Sequence, residues 1–409
     1  MAAAPHPPSL NASEPAPTLG LAGFARSVFA GADLTQAWDA LLARCAATPD
    51  DAGAMLDLST ILQLVGRGEE GLALQADALR RRRLYRRVLG SGEGPRLLAL
   101  MAPGDLMANT PLEFLLGGWS GRLDLFFVDA AAPAPADLPE HDLAILAIGE
   151  SDASEAALLA LAPVLARWPR PVLNGAPQRV LALGRDRAPR ILRGMTGLQA
   201  PPVARLARAD LQALGEGRMD LDGLLPGAAF PLIVRPVGSH AGRGLEKLGA
   251  AGAIGPYLAA QPAGRFYLSA FIDYRSADGL YRKLRVALVD GRPFVAHMAV
   301  SEHWMVHYLN AGMADDPGKR AEEAAMMAGF EAFARRHRGA FAALARAVGL
   351  DYFAIDCAEA ADGRLLIFEA DTAMIVHDMD PPGLYPYKAP AMARLFGAFQ
   401  GLVARMARV

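Results

Sequence analysis

The chain has 409 residues, and its 41 Lys plus Arg against 43 Asp plus Glu leave a formal net charge of −2, so no basic field for a nucleic-acid partner exists. A 53% hydrophobic content excludes global disorder, and no apolar run reaches the roughly 18 residues that a membrane span needs. Two cysteines, Cys45 and Cys357, exclude a disulfide framework and a four-cysteine zinc site, which points to a reducing cytoplasm.

Residues 1–20 are rich in Pro and Ala, lack the basic and apolar segments of a signal peptide, and are expected to form a disordered leader. From Leu34 to about Val88, apolar residues recur at three- and four-residue spacing between glycine breaks, which predicts a helical region over 21–92. Its stretch 54–79 resembles one tetratricopeptide unit. A single copy is short of the three or so that stack into a solenoid, so the hairpin packs on its neighbour or serves a protein partner or second subunit. Arg80, Arg81, Arg82, Arg86 and Arg87 read as a solvated helix end.

At Pro95 the texture changes to strands alternating with helices, including 96-RLLALMA-102, 123-LDLFFVD-129, 143-LAILAIG-149 and a helix over 154–168. This predicts an α/β domain over 93–185 with a parallel, helix-covered sheet. Neither a dinucleotide fingerprint nor a Walker loop is present. From Asp186 onwards hairpin strands dominate, with DG turns at 290–291 and 362–363 and a helical stretch over 320–350. The expectation is an α+β domain over 186–409, with a central lobe to about 275 and a C-terminal lobe from about 276.

Three segments carry chemistry. In 231-PLIVRPVGSHAGRGLEKL-248 a strand leads into Gly238, Gly242 and Gly244, whose backbone can wrap an anion. A glycine-rich turn without a ligand is an equal reading of that loop alone. In 356-DCAEAADGRLLIFEAD-371 a DG turn returns Glu369 and Asp371 beside Asp356, and three converging carboxylates suit Mg²⁺ shared with phosphate oxygens; a solvated hairpin edge is the alternative. In 297-HMAVSEHWMVHYLNAG-312, His297, His303 and His307 admit substrate contact, general base, metal ligation or ordinary loop packing.

Taken in order, ILRGMTGLQAPPVARL, PLIVRPVGSHAGRG, FYLSAFIDY, YRKLRVALVDGRPFV and GLDYFAIDCAEAADGRLLIFEAD resemble the ATP-grasp superfamily across about residues 95–400. The style is that of carboxylate–amine ligases such as D-alanine–D-alanine ligases and ribosomal-protein glutamate ligases. The resemblance implies ATP and Mg²⁺ as cofactors, small-molecule or peptide carboxylate and amine substrates, an acylphosphate intermediate, and release of ADP. It also allows a homodimer. A kinase, or a non-catalytic nucleotide-binding scaffold, is the alternative.

Residue by residue, the resemblance implies phosphate contacts from Arg187 and Arg235, both standing where the family carries lysine, and from the loop of Gly238, Ser239, Gly242 and Gly244. It implies base and ribose contacts from Tyr267, Phe271 and Asp273. Arg285 and Lys283 fall near the reacting phosphoryl group, Asp356, Glu369 and Asp371 fall at the metal, with Asp371 replacing the usual asparagine, and His240 and His303 border the acceptor. Four lysines among 41 basic residues make Arg the default cation of this chain, which accounts for both arginine substitutions. His377 and Lys388 are further candidates at the substrate edge, and Cys357 reads as a small core residue.

Overall fold

The computed structural model describes residues 14–135, 137–239 and 242–408. Its contacts divide the chain into two compact units: one runs up to Gln178 and includes Thr372–Pro381 and the stretch from Met392, and the other comprises Arg179–Asp371 and Pro382–Ala391. No helix among the described residues is long and apolar enough to cross a membrane.

The first unit has a six-stranded sheet in the order β1-β2-β4-β3-β5-β6. Its strands are β1 (Ala16–Pro17), β2 (Leu84–Leu89), β3 (Arg96–Met101), β4 (Gly121–Phe127), β5 (Leu143–Leu146) and β6 (Val172–Leu173). β3, β4, β5 and β6 run parallel, as their continuous apolar runs predict for strands covered on both faces, and β2 is antiparallel to β4. Leu97, Leu98, Ala99 and Leu100 are no more than 1% exposed.

Two expectations are corrected here. Residues 84–89, expected as the end of a helix, form β2, paired along their length with β4. Tyr85 is fully buried, and Arg86, directly opposite Asp124, donates two hydrogen bonds of 2.7 Å to its carboxylate. Arg86 and Arg87 are therefore partners of Asp124 and Glu113 rather than a solvated helix end. Residues 14–20, expected within a disordered leader, are described, and Ala16 pairs with Tyr85 in parallel; residues 1–13 lie outside the described set.

The helices Leu21–Phe29 (α1), Thr35–Ala47 (α2), Ala52–Leu64 (α3) and Gly68–Arg81 (α4) follow the predicted helical periodicity. Phe24, Leu41, Ala54, Leu58 and Ile61 make a core among them. Buried Asp57 on α3 accepts from the Thr18 hydroxyl, from Leu19 N–H at 2.8 Å and from Gly20 N–H at 3.0 Å, fastening the chain just before α1. Replacing Asp57 by Ala orphans these donors. The expected loss is about 1–3 kcal/mol, read as a lower urea midpoint with new proteolytic cleavage near Thr18. The stretch from Met392, expected within a C-terminal lobe, belongs to this unit, where Gln400 donates to the carbonyls of Leu115 and Gly117.

The second unit has two sheets. Strands β8 (Val203–Ala207), β9 (Leu232–Pro236), β10 (Glu246–Leu248) and β11 (Arg265–Ala270) form an antiparallel sheet in the order β10-β9-β11-β8. Leu232, Val234, Phe266 and Leu268 pack with Leu211, Leu214, Ile254 and Leu258 of two short helices into one core. Strands β7 (Leu198–Gln199), β12 (Tyr281–Val289), β13 (Arg292–Ser301), β14 (Tyr352–Glu359) and β15 (Leu365–Asp371) form a five-stranded sheet in the order β13-β12-β14-β15-β7. Asp290, at φ 51°, and Gly291, at φ 72°, make the tight turn that the DG signal predicts between β12 and β13. Helices Pro317–Arg336 and Arg338–Val348 bury Met327, Phe330, Phe333, Phe341 and Leu344. Cys357 is buried on β14 and reduced, as expected of a core residue.

Candidate active site

Register places one chemical row across the five-stranded sheet. His297 on β13 stands opposite Arg285 on β12, Arg285 opposite Asp356 on β14, and Asp356 opposite Glu369 on β15. Each hairpin carries a bulge at this row. Ala296 is skipped between Arg285↔His297 and Val286↔Val295, and Phe368 is skipped between Asp356↔Glu369 and Cys357↔Ile367. Bulges re-aim side chains and concentrate beside active sites.

Asp356 is 1% exposed and takes both cations of β12: Arg285 donates through Nε at 2.9 Å and Nη2 at 3.1 Å, and Lys283 donates through Nζ at 2.9 Å. Burial alone would push the Asp356 carboxyl up, but Arg285 and Lys283 together hold it well below the usual carboxylate range. Burial likewise works against the charge of Arg285, and Asp356 outweighs it. The arrangement presents two fixed cations whose spacing is set by one buried anion.

Next along the row, Glu369 pairs with Arg185. Arg235, on β9 at the root of the glycine-rich loop, feels both Arg185 and Glu369; its pKa is pushed down to about 10, first by burial and then by Arg185. Arg235 donates to the carbonyl and hydroxyl of Ser239, and the Ser239 hydroxyl donates to the carbonyl of Pro236 at 2.8 Å. Gly238, Gly242 and Gly244 have φ of 76°, 73° and 65°, a conformation side chains rarely adopt. At Gly244 an added Cβ would also lie 2.8 Å from the Pro236 ring. His240 lies outside the described residues.

Tyr267 on β11 stands opposite Arg235. Phe271 has the Lys247 ammonium 4.3 Å over its ring and Trp304 edge-on at 5.7 Å, whereas Asp273 is paired with Arg275 at 2.6 Å. Arg187 donates to the carbonyl of Leu181 at 3.2 Å, and Arg185, which sequence reasoning passed over two residues earlier, is the arginine that meets Glu369. His303 is exposed. His297 and His307 are the histidines near the row, both held below their usual pKa first by burial, with Arg285 next for His297 and Lys283 then Arg285 for His307. The six-residue step from His297 to His303 gave no sign of this, because strand β13 ends at Ser301 and the loop turns before His307. His377 is in the other unit, against Phe29 and Phe114.

Among the described residues no cluster of three or more His, Cys, Asp or Glu is arranged to hold a metal ion. Asp356 is paired with Lys283 and Arg285, and Glu369 with Arg185; Glu369 and Asp371, two residues apart on β15, carry hard oxygens of the kind Mg²⁺ prefers, Glu369 only in exchange for its arginine. Arg185, Arg235, Lys283 and Arg285 outnumber Asp356, Glu369 and Asp371, so the site as a whole suits a polyanion.

No protein-family model matches the sequence, and no curated protein matches it. Among solved structures the chain is similar to a RimK domain protein ATP-grasp from Sphaerobacter thermophilus DSM 20745, with 15% identity, 75% of this chain and 99% of that one covered, and a TM-score of 0.41. It is also similar to the ATP-grasp ligase PsnB complexed with precursor peptide PsnA2 and AMPPNP, with 14% identity, 77% and 99% covered, and a TM-score of 0.40. Similarity of this degree leaves the reading of the site to its own geometry.

Proposed function

We propose that the second unit is an ATP-grasp-type nucleotide site and that the chain is an ATP-dependent ligase joining a carboxylate to an amine. The observation that carries this reading is the row His297, Arg285, Asp356, Glu369, which meets the root of a glycine-rich loop through Arg235 and Arg185. Arg235, Arg185 and the backbone of the loop bind the phosphates. Arg285 and Lys283, fixed by Asp356, stabilise the charge on the phosphoryl group in flight, so that catalysis is positioning and neutralisation. Glu369 and Asp371 would hold Mg²⁺, which supplies further neutralisation of phosphate oxygens when bound.

In this reading a substrate carboxylate oxygen attacks the γ-phosphorus, the bond from phosphorus to the ADP oxygen breaks, and an acylphosphate forms. An amine nitrogen then attacks the acyl carbon, the C–N bond forms, and phosphate leaves. Coupled ADP release from Mg-ATP with pooled amino acids, small dicarboxylates and short peptides tests it. Turnover should require both a carboxylate and an amine and be lost in Glu369→Ala. Turnover that needs only a hydroxyl or acid acceptor would make the protein a kinase, and absence of Mg-ATP binding would leave a scaffold.

A further inference from the structure

The two neighbouring carboxylates of the row, Asp356 and Glu369, are each held by a cation, and the two pairings differ in depth. The Asp356 side chain is 1% exposed and accepts three hydrogen bonds from Lys283 and Arg285, which are themselves mostly shielded. The pair between Arg185 and Glu369 is more open, with side-chain exposures of 29% and 25%. Breaking the first pairing leaves buried charges without partners, whereas the members of the second can take up other partners from solvent or from a ligand. Glu369 is therefore the carboxylate of the row whose partner can be exchanged.

Arg185 stands in the turn before the short helix Ala188–Ile191, where Arg187 N–H and Ala188 N–H donate to the Gly184 carbonyl at 2.8 and 2.7 Å. The turn fixes the backbone, and the long side chain of Arg185 reaches from it to Glu369. Arg235, at the root of the glycine-rich loop, feels the same pair: after burial, Arg185 disfavours its charge and Glu369 favours it. One carboxylate thus restrains two arginines that repel each other. A polyphosphate offers enough anionic oxygens for both, as charge-assisted hydrogen bonds stronger than neutral ones. Once Arg185 turns to phosphate, Glu369 loses its arginine and its oxygens stand beside Asp371 on β15.

We propose that Arg185 is an exchangeable counter-ion of Glu369, which neutralises this carboxylate in the nucleotide-free protein and transfers to the phosphate oxygens when nucleotide binds, opening Glu369 to a divalent cation. The inference rests on the nucleotide-site reading and adds an order of binding to it. Nucleotide enters first or together with its cation, and a cation arriving alone must compete with Arg185. The coupling is reciprocal, so Glu369 also holds back the binding of nucleotide without a cation.

Two binding experiments on the full-length protein read the exchange without turnover: calorimetric titration with ATP in EDTA, and titration with Mn²⁺ alone followed by its electron paramagnetic resonance signal. Wild type, Arg185→Gln, Glu369→Gln and the double variant are compared. In EDTA, Glu369→Gln should bind ATP about tenfold more tightly than wild type, because Arg185 no longer has to leave a carboxylate. In the Arg185→Gln background the same substitution should change the affinity by no more than about threefold, the non-additivity of a coupled pair. With Mn²⁺ alone, Arg185→Gln should bind about tenfold more tightly than wild type, and the double variant should lose that gain. Replacing a residue that only supports the fold weakens binding, so the direction of each change is diagnostic, and affinity is read separately from the stoichiometry that a partly unfolded variant lowers. Equal effects of Glu369→Gln in the two backgrounds, or no tightening of Mn²⁺ binding in Arg185→Gln, overturn the exchange and leave the nucleotide site standing. Wild type that binds ATP neither in EDTA nor with Mg²⁺ overturns the exchange and the nucleotide-site reading together.

Discussion

Asp356→Ala is expected to destabilise the second unit by about 3–5 kcal/mol, the cost of leaving buried charges uncompensated. Arg285 and Lys283 are mostly shielded from solvent, with side-chain exposures of 18% and 16%, and both point at this one carboxylate. Removing the carboxylate leaves two like charges side by side on β12, each with its desolvation cost and without the attraction that offset it. Asp356→Asn keeps the shape and removes the charge, so it separates ion pairing from packing. The pH dependence has a definite sign. Asp356 is held below its ordinary pKa of about 3.9, so its contribution is complete above that value and is lost as the pH falls through the lower folded-state value. Urea midpoints of wild type and Asp356→Asn should therefore differ fully at pH 7 and converge below about pH 4. A gap that does not change with pH would mean that the carboxylate is not paired as described.

How much of this was legible in the sequence follows from what sets each feature. Period-two patterning and the DG turns are local, so β12 with β13 and β14 with β15 could be read directly, and with them the convergence of Asp356 and Glu369. The bulges at Ala296 and Phe368 are set by cross-strand fit and leave no local mark, so the row through His297 is not legible in the sequence, and nothing local separates His297 from exposed His303. Arg80 and Arg81 end helix α4 as their helix-favouring character predicts, whereas Arg86 and Arg87 lie in β2, held there by the distant partners Asp124 and Glu113. Arg185 and Arg187 are equivalent by composition, and the turn of the chain decides which one meets Glu369. The helical stretch over 320–350 carries no local sign that Glu323 is buried; its partners Tyr387 and Lys388 lie about 64 residues further along the chain.

Arg235→Met is expected to weaken Mg-ATP binding by more than a hundredfold while changing the stability of the nucleotide-free protein by no more than about 1 kcal/mol. Arg235 is a strongly desolvated cation with a second cation, Arg185, as its neighbour, and its pKa is pushed down to about 10. Its hydrogen bonds to Ser239 are each worth about 1 kcal/mol, and losing them offsets the relief of removing a buried charge. With a polyphosphate present the balance changes. Charge-assisted bonds to phosphate contribute about 1.5–3 kcal/mol each, and both arginines then face anionic oxygen in place of one another. Wild type at a thousand times its dissociation constant should therefore gain about 4 kcal/mol from Mg-ATP, seen as a rise in melting temperature, and Arg235→Met should gain no more than about 1.4 kcal/mol at the same concentration. Arg235→Lys, which restores the residue the resemblance expects there, should recover much of the rise. Equal melting shifts in wild type and Arg235→Met would show that the phosphates bind elsewhere.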